Sequence, residues 1–159
     1  MRSVLLIGIL AALAAPGGSS SATGCSGLSG KFAAVPGSAG AGNIVYRLSV
    51  HNGGSAVCIL HGLPELRLLD THGKRLPTKV VLDPRFAPKP LVLRPGKTAS
   101  AMARFSPDVP GVGEPAVKGH CEPVAWTALV SAGGTTLVLP LRKPTSVCEH
   151  GRLTFTPYR

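Results

Sequence analysis

The stretch IVYRLSVH, residues Ile44–His51, alternates apolar and mostly polar side chains and is the clearest structural signal in the chain. Successive side chains of a β-strand point to opposite faces, so the apolar residues at even-numbered positions would share one face. The pattern predicts a half-buried strand. The turn-forming Asn52–Ser55 and a second apolar run, Ala56–Leu60, follow it, and together these segments predict a β-hairpin.

Three further hairpins are predicted by the same signals, which are apolar runs separated by short turn-forming segments. They join Glu65–Leu69 to Arg75–Val81, Leu91–Leu93 to Thr98–Phe105, and Val124–Ser131 to Thr135–Leu141. Leu153–Thr156 is expected to be a last strand, whereas the proline- and glycine-rich Ser106–Gly119 is expected to be a loop. These eight or nine short strands predict an all-β fold, a two-sheet antiparallel sandwich of the immunoglobulin-like kind.

The composition agrees with a β-rich domain. The 159 residues include 20 glycines and 15 prolines, which are too many helix-breaking residues for a helical bundle. Hydrophobic residues make up 44% of the chain, which argues against disorder throughout. The length is that of one domain, so we expect a single domain over residues 25–159.

Residues 1–24 are expected to be a cleaved secretory signal peptide. A positive charge at Arg2 precedes an uninterrupted run of apolar and small residues, Val4–Ala15, and a small, polar stretch follows. The run is shorter than the roughly 20 residues that a membrane-spanning helix requires. Cleavage fits after Ala14 or after Ala22. The sequence therefore predicts a secreted or extracytoplasmic protein.

Four cysteines are expected to form two disulfides, Cys25–Cys58 and Cys121–Cys148. Disulfides persist outside the cytosol, and each bond would stabilise the fold by roughly 3–4 kcal/mol in the chain-entropy model. Four cysteines allow three connectivities, so this pairing is one of three. A lipid anchor on Cys25 is the alternative for that residue, because small residues precede it, and it would attach the protein to the cell surface.

Turns and cysteines form an ordered set along the chain. Asn52-Gly53 comes first, then CILHGLP over Cys58–Pro64, then LRPG over Leu93–Gly96, and finally Cys121 and Cys148. This set resembles the family catalogued as domain of unknown function 4232, found in secreted proteins and lipoproteins of high-GC Gram-positive bacteria. The resemblance covers about Cys25 to Tyr158. It implies an extracytoplasmic β-sandwich and provides no catalytic residues.

No motif indicates catalysis, and we expect a non-enzymatic protein without a cofactor. The seven carboxylates are spread along the chain, and the G-x-S-x-G motif of serine hydrolases does not occur. Three histidines, His61, His120 and His150, lie near cysteines in the sequence. Because imidazole binds Zn²⁺ and Cu²⁺, extracytoplasmic metal binding through these histidines is the alternative function.

Positive charge is the strongest functional signal. The chain has 17 Lys and Arg against 7 Asp and Glu, a formal net charge of +10. Eight basic residues and a single acidic one fall within the segment Lys74–Arg104. Six are expected to bind an anionic partner: Lys74, Arg75, Lys79, Arg85, Lys89 and Arg94.

The expected anionic partner is a cell-wall polymer or a membrane surface, because these are the anions that an exported protein meets. Nucleic acid is not expected, since export separates the chain from it and aromatic residues for base stacking are few. The alternative is that the charge serves solubility alone.

Overall fold

Strands account for 50% of the described residues and helix for 3%. The computed structural model describes residues 25–115 and 121–159, so the predicted signal peptide and His120 lie outside the described residues. Within that part the elements are β1 (Leu28–Ala34), β2 (Ile44–Asn52), β3 (Cys58–Leu60), β4 (Glu65–Leu69), β5 (Lys79–Leu82), β6 (Leu91–Leu93), β7 (Thr98–Phe105), β8 (Ala125–Ala132), β9 (Thr135–Thr145), α1 (Cys148–Gly151) and β10 (Arg152–Phe155). The predicted all-β class is confirmed.

The largest sheet has five strands in the order β1-β2-β7-β10-β5. Adjacent strands within this sheet are antiparallel, except β10 and β5, which run parallel to each other. The sheet contains β1, which the sequence analysis missed, and β1 pairs with β2 along its whole length, from Leu28 opposite Asn52 to Ala34 opposite Tyr46. A three-stranded sheet, β4-β8-β9, and a short pair, β3-β6, complete the fold.

One hydrophobic core joins the five-stranded and three-stranded sheets. On β2 the residues Tyr46, Leu48 and Val50 are buried whereas Arg47 is exposed, as the alternating pattern predicted. Leucines of β4 and β9 and Val130 of β8 belong to the same cluster. Four aromatic rings lie within the five-stranded side of this core, with ring centroids 5.1–6.2 Å apart: Phe32, Tyr46, Phe105 and Phe155.

Three of the four predicted hairpins are wrong. β2 pairs with β1 and β7 while β3 pairs with β6, so Asn52–Ser55 joins two different sheets. β4 and β5 also lie in different sheets and share only an isolated bridge, Leu69 with Arg75. The same holds for β6 and β7. Only the β8–β9 hairpin, closed by Gly133 and Gly134, is confirmed.

The buried side chain of Asn52 explains why two of these turns cross between sheets. Its amide donates hydrogen bonds to the carbonyls of Ala56, at 2.8 Å, and Leu93, at 3.0 Å. Its backbone also exchanges hydrogen bonds with Gly96 and Lys97. Asn52 thus ties the β2–β3 connection to the β6–β7 connection. Because its buried amide is hydrogen-bonded to both, it holds the two connections in place.

Both predicted disulfides are confirmed, Cys25–Cys58 and Cys121–Cys148, with Cα atoms 5.7 Å and 5.4 Å apart. Disulfides are typical of proteins outside the cytosol, so they indicate an extracytoplasmic location. The Cys25 sulfur is engaged in this bond, which favours the disulfide over the lipid anchor. In the described part of the chain no helix has the length and apolar character needed to cross a membrane.

Candidate functional site

The exposed face of the five-stranded sheet carries a row of five cationic side chains, one from each strand. Strand alternation brings them to the same face, opposite the core. They are Lys31 on β1, Arg47 on β2, Arg104 on β7, Arg152 on β10 and Lys79 on β5, and all five residues are exposed. We call this row the basic stripe.

Strand register sets the spacing of the first three cations. Ala33 is the partner of Arg47, so Lys31 lies two residues further along β1 and diagonally beside Arg47. Val45 is the partner of Arg104, so Arg47 and Arg104 are diagonal neighbours in turn. Such neighbours on one face of paired strands lie about 7–8 Å apart.

The stripe continues across β10 and β5. Thr154 is the partner of Arg104, so Arg152 lies diagonally beside Arg104, and the displacement has the same direction as the two before it. Arg152 and Lys79 are direct partners across the parallel pair. The first four cations therefore form one diagonal line, and Lys79 extends it straight across the last strand, to a total length of roughly 25–30 Å from the strand spacings.

Carboxylates are nearly absent from this face. The five strands contain no Asp or Glu, and the outward residues beside the cations are uncharged. Among the described residues, the single ion pair made by a stripe residue joins Arg152 to Glu149, at 3.9 Å and at the end of β10. The positive charge of the stripe is therefore available to an external anion.

Asp83, just beyond β5, is neutralised by its own partner. The Arg85 guanidinium donates to both carboxylate oxygens, Nε to Oδ1 at 3.0 Å and Nη2 to Oδ2 at 2.6 Å. These bonds, with the Arg85 backbone N–H, lower the pKa of Asp83 to about 2. Arg85 therefore has a structural role at the end of β5, and its charge is shared with an internal carboxylate.

The six basic residues proposed from the sequence lie on several connections, and all are exposed. Lys79 alone belongs to the basic stripe, while Lys74 and Arg75 lie in the β4–β5 connection, Arg85 and Lys89 in the β5–β6 connection and Arg94 in the β6–β7 turn. The sequence analysis missed Lys31, Arg47 and Arg152, because they lie outside the basic segment. No local signal marks them, since only strand pairing brings them together.

Of the three histidines proposed as metal ligands, His120 lies outside the described residues, and His61 and His150 lie in different connections. His61 is exposed in the β3–β4 connection, where it borders a shallow cavity with Glu65 and Arg67. His150 lies in the α1 turn, where ligand atoms of Glu114, Glu122 and His150 fall within 4.8 Å of one another. Metal binding stays a prediction.

Glu114 fixes the α1 turn to the preceding loop. Its carboxylate accepts backbone N–H groups of Gly111, Glu149 and His150, and the bond from Glu149 measures 2.7 Å. Glu149 and His150 both have a φ of 57°, the left-handed region, which turns their N–H groups toward that carboxylate. Burial by itself raises the pKa of Glu114, but these backbone hydrogen bonds outweigh it and lower the pKa. The carboxylate oxygens are thus occupied structurally.

Glu122 is expected to make the stability depend on pH, because burial, and then its contact with the Glu114 carboxyl, raises its pKa. A carboxyl whose pKa is raised by folding stabilises the fold while protonated and loses that contribution as the pH rises through its folded pKa. Glu122→Gln mimics the protonated form. We expect its melting temperature to exceed that of the wild type by about 1–3 °C at pH 7.5 and to equal it at pH 3.5.

Glu149→Gln is the matched control for this measurement, because Glu149 is an exposed carboxylate within the α1 turn. Thermal unfolding followed by circular dichroism at several pH values compares the variants. A gain from Glu122→Gln that is the same at both pH values would contradict the assignment.

Comparison with known proteins identifies the chain by family alone. A family model described as "Domain of unknown function (DUF4232)" matches residues 25–159, which includes every element of the fold. No curated protein and no solved structure matches the chain.

Proposed function

We propose that this chain, which belongs to the family described as domain of unknown function DUF4232, is an exported, non-enzymatic binding module for linear anionic polymers of the cell envelope. The polymer would lie along the basic stripe. The observation that carries the proposal is the strand register, which sets five exposed cations in one line across five strands that contain no Asp or Glu.

We also infer that the fold is an immunoglobulin-like sandwich. In that fold strands A, B and E share one sheet and strands C, F and G the other. The order β1-β2-β7 in one sheet and β4-β8-β9 in the other agrees with this arrangement, and both sheets contribute to one core. β10 and β5 then extend the first sheet and lengthen the surface that carries the stripe.

Export through a signal peptide over residues 1–24 is part of the proposal. It is supported by the charged start and apolar run of that segment and by the two disulfides, which need an oxidising compartment. An exported module meets wall polymers with a regular series of phosphate charges. Such a polymer offers the stripe a line of anions, whereas a small anion would engage a single cation.

The chemistry of the stripe favours phosphate. Three of its five cations are arginines, whose planar guanidinium forms two parallel hydrogen bonds to phosphate oxygens. Outward positions beside the cations hold the hydroxyl residues Ser49 and Thr154, and Met102 and Val45 lie directly opposite Arg47 and Arg104. The outward positions of these strands include no Phe, Trp or Tyr, so base stacking does not contribute.

Binding of a poly(glycerol phosphate) to the purified protein tests the proposal. The test variant is the double substitution Arg47→Gln and Arg104→Gln. The matched control, Lys74→Gln with Arg75→Gln, removes the same charge from the β4–β5 connection. We expect the test variant to bind roughly tenfold more weakly at low salt.

The salt dependence gives a second readout. Each cation removed from a polyanion site reduces the magnitude of the slope of log affinity against log salt by about 0.7–0.9. The slope of the test variant should therefore be smaller in magnitude by about 1.5. Neutral dextran is the polymer control. Equal losses in both double variants would mean that net charge alone drives binding, and the basic stripe would be rejected.

A further inference from the structure

A cavity of about 550 Å³ opens where the edges of the two sheets meet, at the ends of β1 and β9. Among the described strands, β1 pairs with β2 alone and β9 with β8 alone, so their edges lie side by side without a shared ladder. The lining is mostly apolar and includes Val35, Pro36, Ile44 and Pro144. Its volume falls in the range of small-molecule sites, about 300–1,000 Å³.

The polar groups within the cavity wall already have partners. The hydroxyl of Tyr46, a buried lining residue, donates a hydrogen bond to the carbonyl of Lys143 at 3.1 Å. This bond crosses from β2 to β9 and satisfies both groups. The Tyr46 hydroxyl therefore does not need a hydrogen bond from a ligand. The apolar interior of the cavity favours an alkyl chain, because transfer of apolar surface from water is favourable.

Three cations belong to the same lining: Lys31 on β1, with Arg142 and Lys143 on β9. All three are exposed residues, and none lies within 4.0 Å of a carboxylate in the described part of the chain. The lining contains no Asp or Glu. The apolar slot is thus bordered by positive charge alone, and its charge complements an anionic head group.

We propose that this cavity binds a medium-chain fatty acid anion, with the alkyl chain in the slot and the carboxylate at Arg142 and Lys143. Long cationic side chains can cover apolar surface with their stems while their charged ends stay in water, so these residues can contact both parts of such a ligand. The site shares Lys31 with the basic stripe, but Arg142 and Lys143, which would contact the carboxylate, are not part of the stripe. Arg47 and Arg104, which test the basic stripe, do not line the cavity.

Titration calorimetry of the purified protein tests the site with octanoate, decanoate and dodecanoate below their micelle concentrations. We expect saturable 1:1 binding that tightens about fourfold per added methylene until the slot is full. Dodecanol is expected to bind more weakly than dodecanoate. Dodecyltrimethylammonium, whose charge opposes the cations, is expected to bind more weakly still.

Two variants distinguish the contribution of the apolar slot to binding from that of the cations. Ala39→Trp places an indole on an exposed part of the lining, so the fold should be retained while all ligands lose binding. Arg142→Gln with Lys143→Gln should weaken dodecanoate roughly tenfold and leave dodecanol unchanged. Arg94→Gln with Lys97→Gln, in the β6–β7 turn, removes the same charge and is the matched control. Dodecanoate binding that survives Ala39→Trp, or equal affinity for the cationic amphiphile, would overturn the proposal.

Discussion

Replacing Gly151 with alanine is expected to lower the free energy of unfolding by about 3–5 kcal/mol. Gly151 has a φ of +75°, which disfavours any residue with a Cβ. That Cβ would also overlap the backbone carbonyl of Pro77 and lie 2.8 Å from the nitrogen of Thr78. Backbone atoms cannot move aside as a flexible side chain does, so the added methyl group must separate the two segments.

The location of this contact makes the expected effect large. Gly151 ends α1 immediately before β10, and Thr78 immediately precedes β5. These two strands form the parallel pair at the edge of the five-stranded sheet. Separating them would break that pairing and displace Arg152 and Lys79 from the basic stripe. The same variant should therefore also weaken polymer binding.

Gly73→Ala is the matched control, because Gly73 has a φ of +76° but no atom within 4 Å of a Cβ built on it. It should cost only the backbone strain, about 1–2 kcal/mol. Urea denaturation of both variants measures the difference. Equal costs would mean that the contact with Pro77 carries no energy and that β5 can shift without loss.

Strands were predicted well where alternation is strong, but their partners were not. The apolar period of β2 identified its buried face residue by residue, because that face packs on a core. Turn residues such as Asn52 and Gly53 are equally suited to a hairpin or to an arch between sheets. The choice depends on the buried amide of Asn52 and its bond to Leu93, which is 41 residues away in the sequence and therefore outside the local pattern.

The sequence alone could not place the cations of the basic stripe on one face. A search for charge density along the chain selected Lys74–Arg104, and only Lys79 of the six proposed residues lies on the stripe. β1 was missed because LSGKFAA is rich in small residues and lacks a clear alternation. Without β1 and the order of the five strands, Lys31, Arg47 and Arg152 are isolated charges in the sequence.

Removing both disulfides is expected to unfold the protein, whereas removing either one should leave it folded but weaker. The bonds link residues 33 and 27 apart in the sequence, and the chain-entropy model gives each roughly 3.5 kcal/mol. Together they equal a large part of the 5–15 kcal/mol that stabilises a typical domain. We expect each pair of cysteine-to-serine substitutions to lower the melting temperature by about 10–20 °C.

The two bonds constrain different parts of the fold, so the variants should differ in what they lose. Cys25 donates its backbone N–H to Gly133, so the Cys25–Cys58 bond ties the start of the domain and β3 to the β8–β9 turn. Cys148 begins α1, three residues before Gly151 and four before Arg152 of the stripe. Loss of Cys121–Cys148 should therefore weaken polymer binding more than loss of Cys25–Cys58, at a temperature where both variants remain folded. Equal polymer affinities, or a quadruple serine variant that melts like the wild type, would contradict this division of roles.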